Sequence, residues 1–86
     1  MYNNASLVAE IIARGGWEHP QSVGAGQWAA YLADQDPTCT YGVMWDERGA
    51  QVVADDRGQS TAIDGEDYAD VMDAVRAAER RAGRAS

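Results

Sequence analysis

The chain has no lysine and no phenylalanine, and only one cysteine, one histidine and two prolines among 86 residues. A lone cysteine excludes an internal disulfide framework. With one histidine beside it, it also excludes a zinc site built from Cys and His alone. No apolar run approaches the roughly 20 residues of a membrane-spanning helix. A calcium-hand loop, a P-loop and a local nucleophile motif are all absent from the sequence. Gly24-Ala25-Gly26 lacks a following Lys-Ser/Thr and reads as a flexible backbone segment. His19, Cys39 and an aspartate can be drawn as a triad, but no nucleophile motif supports it, so the expectation is a protein that is not an enzyme and carries no metal or cofactor. Basic residues are few: 7, all arginine, against 14 Asp and Glu, for a net charge of -7. That excess argues against direct binding to a nucleic acid backbone, which calls for a basic surface.

What is present is a 45 % apolar composition, enough for one small core. The expectation is a single domain over residues 1–86, with a size that leaves monomer and homodimer both open. The N-terminus, Met1-Tyr2-Asn3-Asn4-Ala5-Ser6, has neither a basic segment nor an apolar stretch. It therefore reads as no secretory signal. With one unpaired cysteine, the expected setting is a reducing cytoplasm. Cys39 itself reads as a small buried side chain.

Periodicity sets out the expected elements. Leu7, Val8, Ile11 and Ile12 form one helical stripe over Ser6 to Arg14, with Asn4 or Ser6 as cap and Gly15-Gly16 as stop. Trp28, Tyr31 and Leu32, at i, i+3 and i+4, predict a second short helix from about Gly26 to Asp34, ended by Pro37. Cys39 to Trp45, Gln51 to Ala54 and Ser60 to Ile63 read as three strands. They are joined by Asp46-Glu47-Arg48-Gly49 and Asp55-Asp56-Arg57-Gly58, two turns of nearly the same composition. Tyr68, Val71, Met72 and Val75 predict a last helix from about Gly65 to Ala82, capped by Asp64. The fold class is thus α+β, in the order α-α-β-β-β-α, with a three-stranded antiparallel meander packed against helices. Trp17, Trp28 and Trp45 are expected to supply much of the core, Trp17 being the freest of them in its loop.

The charge is uneven. Residues 34 to 75 hold eleven acids against Arg48 and Arg57, whereas residues 76 to 86 hold four arginines against Glu79. Caps, turns and the helix macrodipole account for some of these acids. The set is larger than those roles require, and so many like charges destabilise the compact state. A surplus of this kind suits docking onto a basic protein surface. The commonest such surfaces hold nucleic acid, and carboxylates would stand where phosphates lie. The candidate partner-binding residues are Asp46, Glu47, Asp55, Asp56, Asp64, Glu66, Asp67, Asp70 and Asp73, each to pair with Arg or Lys of the partner.

The stretch Ala62-Ile63-Asp64-Gly65-Glu66-Asp67-Tyr68-Ala69-Asp70-Val71-Met72-Asp73 is an acidic cap followed by spaced acids and an aromatic. In this, and in size and acidity, the chain resembles phage-encoded anti-CRISPR proteins, in particular the DNA-mimicking inhibitors of type I surveillance complexes. The resemblance implies binding to a Cascade-type complex and blocking of target DNA, without an enzymatic step. Two other readings share the composition: an immunity protein or antitoxin masking a nuclease toxin, and a small phage structural or adaptor domain.

Overall fold

The computed structural model describes residues 3–33, 35, 40–56 and 59–84, apart from the side chain of residue 64. Two helices, α1 (Asn4–Arg14) and α2 (Val71–Arg81), enclose five strands in chain order: β1 (Gln21–Gly24), β2 (Gln27–Tyr31), β3 (Thr40–Asp46), β4 (Gly49–Asp56) and β5 (Gln59–Tyr68). The fold is α+β, as expected. The sheet is an antiparallel meander ordered β1-β2-β3-β4-β5, so among the described residues it has five strands rather than three. An isolated bridge between Trp17 and Leu32 ties the segment after α1 to the end of β2.

The first helix begins slightly before its expected start. Its cap is Asn3, not Asn4 or Ser6: Asn3 Oδ1 accepts the Ser6 amide at 3.2 Å. Gly15 and Gly16 both adopt positive φ and end it, as the sequence predicts.

The predicted second helix does not form. Residues 21–31 make a β-hairpin instead, turning at Ala25-Gly26. Gly24, Ala25 and Gly26 have φ of 91°, 54° and 76°, left-handed values that suit a tight hairpin turn and no helix. The helical spacing of Trp28, Tyr31 and Leu32 is coincidental. The period that governs is two: Trp28, Ala30 and Leu32 enter the helix-covered core, whereas Ala29 is buried outside it. Alanines on both faces hide that alternation in the sequence.

The last helix is also shorter than predicted. Residues 65–68 belong to β5, which pairs with β4 from Asp56↔Gln59 to Ala50↔Tyr68. Cross-strand pairing overrides the helical stripe that Tyr68 began. The cap is therefore Asp70, whose Oδ1 accepts the Met72 amide at 3.2 Å, and not Asp64, whose backbone lies in β5. The turn at Asp46-Glu47-Arg48-Gly49 forms as read, with Asp46 Oδ1 accepting the Arg48 amide at 2.8 Å. In the matching turn, Asp55 and Asp56 close β4, while Arg57 and Gly58 lie outside the described residues, as does Cys39.

Both helices pack on one face of the sheet. Val43, Trp45, Ala50 and Val52 meet Leu7, Ile11, Val71, Val75 and Ala78 in a single cluster. Trp28 stacks beside Trp45 at 6.1 Å. Trp45 Nε1 donates to Asn4 Oδ1 at 3.0 Å. Trp17 is buried in the same core, contrary to the expectation that its loop leaves it freer. No helix among the described residues is long and apolar enough to cross a membrane.

Candidate protein-docking face

Alternation along the strands defines a second sheet face, on which no helix of the described residues packs. Its residues fall into cross-strand rows. The first is Gln21–Ala29–Met44–Gln51–Asp67, the second Tyr31–Gly42–Val53–Ala62, and the third Thr40–Asp55–Ser60. The centre is apolar and low. Ala29 and Val53 are buried, yet they stand outside the helix-covered cluster. The Tyr31 ring lies over Gly42, and its hydroxyl meets Ser60 Oγ at 2.6 Å. A Cβ on Gly42 would stand 2.5 Å from the Ala30 carbonyl oxygen and 2.6 Å from the Tyr31 ring, so only glycine fits there.

At the β3–β4 turn this face runs into a concavity of about 580 Å3. Met44, Trp45 and Tyr68 supply apolar and aromatic walls. Asp46 and Asp67 supply carboxylates, with Gln27 and Gln51 between them and Arg48 at the turn. Glu47 is exposed on the same turn.

The nine candidate acids do not form one continuous surface. Asp46, Asp55 and Asp67 share the helix-free face by alternation. Asp55 stands near its far end, about 20 Å along β4 from the Asp46 turn, and its Oδ1 is buried without a hydrogen-bond partner among the described residues. Asp56 follows at the end of β4 and alternates to the other side. Glu66 turns toward α2: it accepts from the Tyr68 hydroxyl and from Arg81 Nη2, the latter at 3.2 Å. Those bonds, the Tyr68 one foremost, hold the Glu66 carboxyl below its ordinary pKa, while Glu66 pushes the Tyr68 hydroxyl up. Asp70 caps α2, and Asp73 pairs with Arg76 one turn on. The side chain of Asp64 lies outside the described residues. The structure thus brings Asp46, Glu47 and Asp67 to one end of the sheet and leaves Glu66 and Asp73 in local ion pairs.

Five of the seven arginines lie away from this face, while Arg48 lines its concavity and Arg57 lies outside the described residues. Every charged residue within the five strands is acidic: Asp46, Asp55, Asp56, Asp64, Glu66 and Asp67. Arg14, Arg76, Arg80 and Arg81 lie on the helices, and Arg84 just beyond α2. A second concavity, at the C-terminal ends of both helices, is lined by Arg14, Arg76, Arg80 and Arg84 around Glu79. Three of its four arginines have partners within the protein. Arg14 binds Glu79, Arg76 binds Asp73, and Arg84 donates to the carbonyls of Gly16 and Ala33.

The sequence reading missed Tyr31, Gly42, Met44 and Gln51 as surface-forming residues. The alternation of Gly42 and Met44 against Tyr41, Val43 and Trp45 carries that signal, since it splits β3 into two faces. Tyr31 was hidden because its segment reads as a helix. Among the described residues no group of three or more His, Cys, Asp or Glu side chains could hold a metal ion. No protein-family model, curated protein or solved structure matches this chain.

Proposed function

We propose that this protein is a non-enzymatic inhibitor that covers a basic nucleic-acid-binding surface of another protein, in the manner of anti-CRISPR proteins acting on type I surveillance complexes. The observation that carries this reading is the sidedness of the charge. The strands contribute only acids, and five of the seven arginines lie on or beside the helices. Sidedness of this kind orients a docking event: a basic cleft attracts the acids of the helix-free face more than the helices, whose arginines offset their own carboxylates. The carboxylates that meet the partner on this reading are Asp46, Glu47 and Asp67, with Asp55 farther along the same face. Glu66 and Asp73 serve α2 instead.

A competition measurement tests the reading. Labelled target duplex is added to a purified type I surveillance complex with and without the protein, at low and moderate salt. Displacement of DNA that weakens as salt rises supports it, because exposed charge pairs are screened over about 10 Å at 0.1 M. Full retention of DNA at low salt overturns it.

A further inference from the structure

We infer that the helix-free face of the sheet is itself the contact surface, and that it takes a protein partner with an apolar centre and basic margins. The inference rests on the proposed inhibitor reading and names the surface and the chemistry it matches.

The argument starts from what that face would otherwise be. A sheet side meant only for water carries polar residues at alternate positions. Here the second row runs Tyr31, Gly42, Val53 and Ala62, with Ala29 and Met44 beside it in the first row. These residues contribute nothing to the helix-covered core, from which Ala29 and Val53 are absent. The Tyr31 ring covers the buried floor at Gly42, so the apolar surface that a partner meets is Tyr31, Met44 and Ala62. Tyr31 and Met44, both half-buried, are of types enriched at protein interfaces.

Charge selects the occupant. Among the described side chains this face carries Asp46 and Asp67 at one end, beside Arg48 of the turn, and Asp55 toward the other, with no charge between. A second copy of the chain would bring the same acids against them and be repelled. A partner with arginines or lysines around an apolar centre places opposite charges at both margins and buries the middle. That layout, an apolar core inside a charged rim, is the ordinary anatomy of an interface.

The test uses two synthetic peptides of equal charge as probes. One has a leucine core flanked by arginine runs, and the other a serine core with the same flanks. Titration of the isotope-labelled protein is expected to show the leucine peptide binding about tenfold tighter, the scale of one good apolar anchor. Amide shifts should centre on Tyr31, Gly42, Met44 and Ala62. Met44→Gln should abolish the tenfold difference, and Ala62→Arg, at an exposed position, should weaken both peptides. Thermal unfolding of each variant confirms that it is folded. Equal affinity for the two peptides, or shifts confined to α2, overturns the inference. The competition assay separates it from the reading beneath it. If Asp46→Arg/Asp67→Arg abolishes DNA displacement while Met44→Gln and Ala62→Arg leave it unchanged, acidic docking stands and this surface assignment falls. Leucine-peptide preference without any DNA displacement leaves the surface standing and removes the surveillance-complex reading.

Discussion

Arg14 and Glu79 are clasped across 65 positions of sequence: Arg14 Nε donates to Glu79 Oε2 at 2.8 Å while Nη2 reaches Oε1. Trp17 Nε1 donates to the same Oε2 at 3.0 Å. One carboxylate therefore ties the end of α1, the loop behind it and the last turns of α2. The Arg14 bond, ahead of that from Trp17, holds the Glu79 carboxyl below its ordinary value of 4.5.

Glu79→Gln is expected to lower stability at neutral pH by about 1 kcal/mol, the scale of a partly exposed charge-assisted bond. Because the folded-state pKa of Glu79 is depressed, its contribution is fully present above the ordinary carboxylate value. It is lost as pH falls through the lowered folded value. Urea unfolding of wild type and variant across that acid range should show the difference shrinking toward zero. A difference that grows in acid contradicts the assignment.

Gly42→Ala tests the close approach on the sheet. Its Cβ has no room between the Ala30 carbonyl and the Tyr31 ring. Forced overpacking of this kind costs about 1–3 kcal/mol. The thermal midpoint should drop by at least about 4 °C for a domain this size. An unchanged midpoint would mean that Tyr31 does not lie over Gly42.

Asp70→Ala removes the cap of α2 and should cost about 1 kcal/mol, whereas Asp70→Asn should cost little, since Asn caps equally well. Loss of helical circular dichroism on heating, compared between the two variants, reads this directly.

Asp55→Thr is expected to stabilise. The Asp55 Oδ1 is buried without a partner among the described residues, a cost of about 1–3 kcal/mol. Threonine also suits a strand better than aspartate. A gain of about 1 kcal/mol raises the thermal midpoint by about 4–8 °C. A fall in midpoint would show that the Asp55 carboxylate has a stabilising partner.

Charge reversal separates the two ends of the sheet. Asp46→Arg/Asp67→Arg should reduce inhibition of DNA binding by about tenfold or more, mainly by slowing association. Asp73→Arg should have a small effect, since Asp73 is already paired with Arg76. Association rates measured at two salt concentrations decide the point. Equal losses for both would place the contact on the helix side.

How much of this was legible in the residues differs by element. Local chemistry determined α1, the Gly15-Gly16 stop, the Asp46–Gly49 turn, the strand character of β3, of β4 and of residues 60–63 in β5, the helical stripe of α2, and the acidic excess. Each depends on neighbours within a few positions: a stripe, a cap, a turn residue. Tertiary structure decided the rest. Residues 21–31 became a hairpin because β3 offered Trp28 and Ala30 the partners Trp45 and Val43. Residues 65–68 left the last helix for the same reason, since β4 supplied a pairing edge. The division of the acids was equally invisible: Glu66 pairs with Arg81 and Asp73 with Arg76, while the β3–β4 and β4–β5 pairings bring Asp46 and Asp67 to line one concavity. A period can be read from a short window of sequence, but strand partners and shared faces are set by long-range pairing, which no local window contains.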